Sequence, residues 1–318
     1  MNTILITGSE GNIGTFLVEY IKKTRPDFKI IRVGFGQGEN KKDNFYQGDL
    51  ADSSFAQKIF QENSVDYVIH LAARSYNIND LKNNVYDIYS NDTKSLLNIL
   101  DNSKSIKKFI YFSSAIIYES LKESILMESP VSQISPPKSS LGLAKYSGEK
   151  AVEFLYQQYG VPYTIWRPFN VVSPLESHER EGAHVFVDFY RKIFIEKSPR
   201  LQVHGSGKQV KCFIWVEDLV SAIGDFLKDT KTDNQIFNIA GKEQKTLIDL
   251  AKTLITIGKE KNFLLQDYNL EITTENEFSQ DEVQKIPSTE NIRKVLGWEA
   301  KTSFKSCFEK FIEYKQKV

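Results

Sequence analysis

Apolar residues follow two rhythms along the first 170 positions of this chain. Some stand in short unbroken runs: Ile4-Leu5-Ile6, Phe28 to Phe35, Tyr67 to Ala73, Lys108 to Phe112 and Val161 to Arg167. Runs of this length and character suit strands buried on both faces. Between them apolar positions recur every three or four residues: Phe16, Leu17, Tyr20 and Ile21, then Phe55, Ile59 and Phe60. The same spacing holds within 81–103 (Val85, Ile88, Tyr89, Leu96, Leu97, Leu100) and from Gly142 to Tyr159. Strand and helix alternate, which predicts an α/β chain with a doubly wound parallel sheet and right-handed crossovers.

The pattern loosens afterwards. Residues 119–140 are polar and carry Pro130, Pro136 and Pro137, which suits a loop over the sheet. Residues 170–184 are irregular, and helices are expected across 185–196 and Glu217 to Leu227, with strands at Ile236 to Ile239 and Leu270 to Thr274. Leu201 to His204 and Val210 to Trp215 flank Gly205-Ser206-Gly207, which predicts a hairpin. A dinucleotide-binding domain is expected over 1–168, with returning segments near 212–240. A smaller α/β substrate lobe then takes up most of 169–318.

The first strand runs into glycines at 8, 11 and 14, and a helix follows. Gly8 permits a tight turn, Gly11 lets the backbone approach a pyrophosphate, and Gly14 lets the helix lie close on the strand. The helix start then offers free N–H groups to phosphate. In such folds an Asp or Glu commonly ends the second strand and binds the adenosine ribose. Here Gly34 stands in that place. NAD is the expected cofactor, and NADP is possible on account of Gly34. Arg32, Lys41 and Lys42 are near enough to meet a 2′-phosphate, or are a charged strand residue and exposed loop lysines.

Composition narrows the classes. Lys+Arg and Asp+Glu both number 41 among 318 residues, so no net charge favours nucleic acid as partner. No run of about 18 apolar residues points to a membrane span. Met1-Asn2-Thr3 leads directly into the first strand with no secretory pattern, and a cytoplasmic protein is expected. Cys212 and Cys307 are far apart, and the histidines at 70, 178, 184 and 204 lack ligand spacing, so no metal site is expected.

Eight segments in order resemble the extended short-chain dehydrogenase/reductase family, in its nucleotide-sugar epimerase and dehydratase branch. They are Thr7 to Gly14, Gly48-Asp49-Leu50, His70-Leu71-Ala72-Ala73, Asn91, Ser113 to Tyr118, Arg167 to Asn170, Phe213 to Leu219 and Leu296-Gly297-Trp298. The resemblance implies a Rossmann-type sheet. It implies a cofactor held by Gly8, Gly11, Asn12, Ile13, Gly14, Asp49, Leu50, Leu71, Ala72, Ala73, Asn91 and Lys145. Ser114 would orient a sugar hydroxyl. Arg74, Asn170, His184, Val203 and Lys211 would hold a nucleotide-diphosphate sugar, with the 176–188 stretch as a further candidate. Many members of the family form homodimers through two helices, here 84–103 and 143–159.

The family's catalytic pattern Y-G-x-S-K-x-x-x-E aligns with Leu141 to Glu149, which puts Lys145 at the lysine and Leu141 at the tyrosine. A leucine takes no proton. Three explanations stand open: an inactivating or engineered change at Leu141, another acid/base such as Tyr118, Tyr146, His184 or a substrate group, or a protein that binds without turnover. Tyr146, five residues on, points ~140° away on a helix. Family dehydratases carry Asp-Glu after the catalytic Ser or Thr, whereas Ala115 and Ile116 follow Ser114. The resemblance therefore favours an epimerase, with an NADP-dependent reductase or dehydrogenase as the alternative.

Overall fold

A computed structural model describes residues 1–35, 44–73, 84–178, 184–274 and 284–317. Seven strands form one sheet: β1 (Asn2–Thr7), β2 (Phe28–Gly34), β3 (Phe45–Gln47), β4 (Tyr67–His70), β5 (Lys108–Phe112), β6 (Tyr163–Pro168) and β7 (Gln235–Ile239). Their order is β7-β6-β5-β4-β1-β2-β3, and every adjacent pair is parallel. The chain therefore changes direction across the sheet at β1 and β4. That reversal opens a crevice beyond the strands' carboxyl ends.

Nine described helices accompany the sheet: α1 (Gly14–Thr24), α2 (Ser53–Glu62), α3 (Val85–Asp101), α4 (Ser140–Tyr159), α5 (Val185–Tyr190), α6 (Val216–Asp225), α7 (Leu247–Glu260), α8 (Glu290–Leu296) and α9 (Phe304–Lys315). Neighbouring strand residues enter opposite cores. Ile4, Ile6, Ile69, Ile110 and Phe112 pack with residues of α1, α5, α6, α7 and α9. Leu5, Val68, Phe109 and Tyr111 pack with residues of α2, α3 and α4. Two buried faces explain why the strand runs read as continuous apolar stretches.

Helix α4 is bounded by local chemistry. Ser139 Oγ accepts from the Gly142 N–H at 3.0 Å, and Gly160 closes the far end at φ 69°. Toward the sheet α4 has a glycine at 148, where a Cβ would come within 2.2 Å of the Tyr111 hydroxyl and 2.9 Å of Leu96.

Several boundaries differ from the sequence reading. β4 ends at His70, and Leu71 to Ala73 continue as irregular chain beyond its carboxyl end. The described part of the helix expected from 81 begins at Val85, and 81–83 lie outside the described residues. The helix expected across 185–196 is α-helical only to Tyr190, then widens into a π-turn at Arg191–Ile195.

The expected hairpin is absent. Arg200–Val203 pairs in parallel with Glu271–Thr274, and Val210–Cys212 pairs antiparallel with Gln244–Thr246. Leu201, Val203 and Phe213 to Trp215 all belong to the largest cluster, and Cys212 to a separate one around Tyr118 and Phe169. Long-range strand pairing has overridden the turn signal.

Gly148→Ala should lower stability by about 1–3 kcal/mol, because an added methyl overpacks a closed core. Urea unfolding checks this, and adding Tyr111→Phe should recover part of the loss by removing the obstructing oxygen.

Candidate active site

The crevice is built first by the glycine turn. Gly8 has φ 67°, and a Cβ there would lie 2.9 Å from the Ala72 backbone nitrogen. A Cβ on Gly14 would lie 2.1 Å from the Gly8 carbonyl oxygen. Only glycines let β1, α1 and Leu71-Ala72 meet this closely. The Thr7 hydroxyl lies 3.0 Å from His70 Nδ1 and accepts from the Ala72 N–H at 3.2 Å. His70 is fully enclosed. Burial, aided by the charge of Lys145, lowers its pKa to about 3, so the ring is neutral.

The other expected cofactor positions border the same crevice or its supports. Asn12 and Ile13 lead into α1, and Ser173 Oγ donates to the Asn12 carbonyl at 2.9 Å. Asp49 accepts from the Ala51 N–H at 2.8 Å, and the Leu50 carbonyl accepts from Asn98 Nδ2 at 2.8 Å. Ala73 is the last described residue of its segment, and Asn91 is half-buried on α3. Glu10, which the sequence reading passed over, lies against Gly34: a Cβ on Gly34 would be 3.0 Å from Glu10 Oε2.

At the end of β5, Ser114 Oγ accepts from the Ile116 N–H at 3.2 Å and caps a 3-10 turn over Ala115–Tyr118. Lys145 reaches the same strand end from α4. Its Nζ donates to the Phe112 carbonyl at 2.9 Å and lies 5.3 Å from the centre of the Tyr111 ring. Burial holds the Lys145 pKa below the ordinary lysine range, and the charges of Asp92 and Glu149 only partly oppose this. Leu141 is half-buried one turn earlier on α4.

The tyrosines considered as substitutes have other tasks. Tyr118 is 0% exposed. Its hydroxyl accepts from Arg167 Nη1 at 2.7 Å and stands 2.8 Å from Asn238 Oδ1 and 3.0 Å from the Met127 carbonyl. Burial pushes its pKa up to about 12. Tyr146 packs outward from Leu141 onto the cluster that holds Ile117, Tyr118 and Leu126.

Arg167 and Glu149 are both fully enclosed. Nε donates to Oε1 at 2.9 Å and Nη2 to Oε2 at 2.6 Å. Burial alone would lower the Arg167 pKa, but Glu149 and Tyr118 raise it. Glu119 ties the segment after Ser114 to the start of α4 by accepting the Ser139 hydroxyl at 2.7 Å. Lys285 donates to the Tyr118 and Glu119 carbonyls at 3.1 and 2.6 Å. The sequence marked Arg167 and Glu149 only as members of motifs, because the contact between them spans two elements.

The expected substrate residues lie on several elements. Asn170, at φ 41°, donates from Nδ2 to the Cys212 carbonyl at 3.1 Å. Lys211 is half-buried beside it, on the strand that pairs with Lys245. Val203 is 1% exposed within the large core. His184 is 72% exposed, with Nδ1 2.6 Å from Glu176 Oε1. Arg74, Lys41 and Lys42 lie outside the described residues. Among the described residues no cluster of His, Cys, Asp or Glu could hold a metal, and no helix is long and apolar enough to cross a membrane.

The sequence model of the NAD dependent epimerase/dehydratase family matches residues 4–240. The chain is 29% identical over 276 residues to a Dictyostelium discoideum dTDP-D-glucose 4,6-dehydratase, covering 80% of this chain but only 62% of that protein's length. It is 26% identical to the human dTDP-D-glucose 4,6-dehydratase over 326 residues, 98% of this chain and 89% of that one. The crystal structure of the Thermotoga maritima UDP-glucose 4-epimerase with UDP-glucose superposes with a TM-score of 0.83 at 26% identity over 99% of both chains.

The buried polar network makes one pH prediction. Glu128 accepts from the Asn238 N–H at 3.3 Å, and burial raises its pKa to about 7 from the ordinary 4.5. A carboxyl raised in the folded state stabilises below its unfolded pKa, and that contribution is lost as pH climbs through the folded value. Stability should therefore fall between about pH 4.5 and 7. Glu128→Gln should flatten that segment of a melting-temperature profile, and an unchanged slope would contradict the assignment.

Proposed function

The chain belongs to the NAD-dependent epimerase/dehydratase family, and from that premise we propose that it epimerises a nucleotide-diphosphate sugar. A nicotinamide dinucleotide held in the crevice would supply transient oxidation of one sugar carbon and return of the hydride to its other face. The observation that carries epimerisation over dehydration is the pair Ala115-Ile116 after Ser114. Both side chains are hydrocarbon, so neither can move the proton that loss of water requires.

The glycine turn fits a dinucleotide, because its close-packed backbone leaves the start of α1 open to a pyrophosphate. Gly8 to Gly14 would hold that group, Asp49 and Leu50 the adenine side, and Leu71 to Ala73 the crevice wall. Lys145 would reach the nicotinamide ribose.

Ser114 orients the sugar hydroxyl, and Lys145 takes its proton. Leu141 has no titratable group, the Tyr118 hydroxyl is engaged with Arg167 and Asn238, Tyr146 faces a different cluster, and His184 is exposed beside Glu176. Lys145 stands one turn from Leu141 at the end of β5, enclosed, and burial lowers its pKa from the ordinary lysine value. As a neutral amine Nζ can accept a proton while still donating to Phe112. Asp92 from α3, Glu149 from α4, and His70 and Tyr111 from the sheet face it, and the two carboxylates keep the ammonium form accessible for the return step.

We also place a homodimer on α3 and α4. Tyr86 (87% exposed) and Leu97 (47%) lie three turns apart on α3, as do Leu143 (37%) and Phe154 (60%) on α4. A second copy would cover this apolar face.

A panel of nucleotide sugars followed by NMR tests the reaction. Conversion between epimers should occur without net redox change and should rise with pH as Lys145 loses its proton. Lys145→Arg keeps a charge but no usable base, and should lose about 10²-fold or more in rate while still binding sugar nucleotide. Leu141→Tyr should quicken conversion and move the pH limb. No epimer from either the parent chain or Leu141→Tyr refutes epimerisation, and net reduction of a keto sugar would favour the reductase alternative.

Phe154→Glu should convert the dimer to monomer in sedimentation. A parent chain that already sediments as a monomer would remove the proposed interface.

A further inference from the structure

Strand β2 ends at Gly34, so it presents no side chain where the adenosine ribose would lie. The glycine turn of β1 comes over to the same spot. The Ser9 N–H and Ser9 Oγ both donate to the Val33 carbonyl at 3.1 Å, which sews the turn to the last residues of β2. The next residue is Glu10, and its side chain crosses Gly34. A Cβ built on Gly34 would stand 3.0 Å from Glu10 Oε2, 3.4 Å from Cγ and 3.5 Å from Cδ. The Glu10 carboxylate thus occupies the room in which an acidic side chain at 34 would begin.

We infer that Glu10 supplies the ribose-binding carboxylate that Gly34 lacks, and sets a preference for NAD over NADP. Two carboxylate oxygens can accept from the 2′- and 3′-hydroxyls of a ribose. The same group meets a 2′-phosphate as charge against charge and offers it no donor. Gly34 is complementary to this arrangement, since a larger residue there would displace Glu10. The inference rests on the dinucleotide reading of the glycine turn and not on which sugar reaction follows.

The test is binding alone. NADH and NADPH are titrated separately into the purified full chain, without sugar, and followed by nicotinamide fluorescence. The parent chain should bind NADH more tightly. Glu10→Ala should lower the NADH:NADPH affinity ratio by about tenfold or more, the scale of one lost charge-assisted contact. Adding Gly34→Asp to Glu10→Ala should restore the preference from the usual side. Glu10 is exposed, and an unchanged melting temperature in each variant excludes misfolding.

A ratio unchanged by Glu10→Ala, or a parent chain that prefers NADPH, overturns the inference. A parent chain that binds neither dinucleotide overturns the cofactor reading and this inference with it. If Glu10→Ala collapses the ratio but no sugar nucleotide is converted, Glu10 keeps its role and epimerisation fails.

Discussion

The placement of Lys145 depends on an ion pair one turn further along its own helix. Glu149 and Arg167 have no access to water, and each of the two carboxylate oxygens accepts one guanidinium N–H. Such a pair adds little net stability compared with a hydrocarbon core, but losing one partner strands a buried charge at a cost of about 3–5 kcal/mol. The pair therefore acts as a constraint on register. It fixes the rotation of α4 against β6, and this rotation turns Lys145 toward β5 and Tyr146 away from it. Tyr118 and Asn238 extend the constraint to β7, and the Asn238 side chain reaches the Leu126 and Ser288 carbonyls. Glu149, Arg167, Tyr118 and Asn238, from four separate stretches of chain, meet at one guanidinium and its neighbours.

The crevice itself rests on the absence of side chains. Gly8 and Gly14 allow the turn, the first helix and the Leu71-Ala72 backbone to come within contact distance. The same economy appears at Gly148, where the Tyr111 ring needs the space, and at Gly34, where Glu10 does. Small residues here determine which larger neighbour fills a shared volume.

What the sequence disclosed was local. The strand runs and the glycine turn each lie within a few consecutive residues, so spacing alone exposes them and the parallel sheet followed, whereas Lys145 was marked by the family resemblance of Leu141 to Glu149. Pairings between distant residues were hidden. Ser9 and Val33, or Glu149 and Arg167, carry no mark in one dimension that they touch. Tyr118 was open as a proton carrier because nothing in its neighbours states that its hydroxyl is enclosed. Gly205-Ser206-Gly207 suggested a hairpin on sound turn chemistry, but its two flanks pair with strands far along the chain, Glu271–Thr274 and Gln244–Thr246, and not with each other. Val203, expected as a substrate contact, is 1% exposed within the large core, which its place in the chain did not disclose.

The order of the sheet also bears on how the chain is made. β6 is complete at Pro168, yet its outer neighbour β7 begins only at Gln235. On a growing chain the first six strands can assemble while the outer edge of β6, with Ile165 and Trp166, still shows unpaired backbone and apolar side chains. Asn238 arrives with β7, so the Tyr118 hydroxyl gains this third partner, after Arg167 and the Met127 carbonyl, only at the end of the same interval. Synthesis at about 5–20 residues per second leaves that edge open for several seconds. An exposed edge of this kind is where a nascent chain is most ready to pair with the wrong strand. The hazard closes in one step when 235–239 docks, and that docking also seals the polar network behind the site.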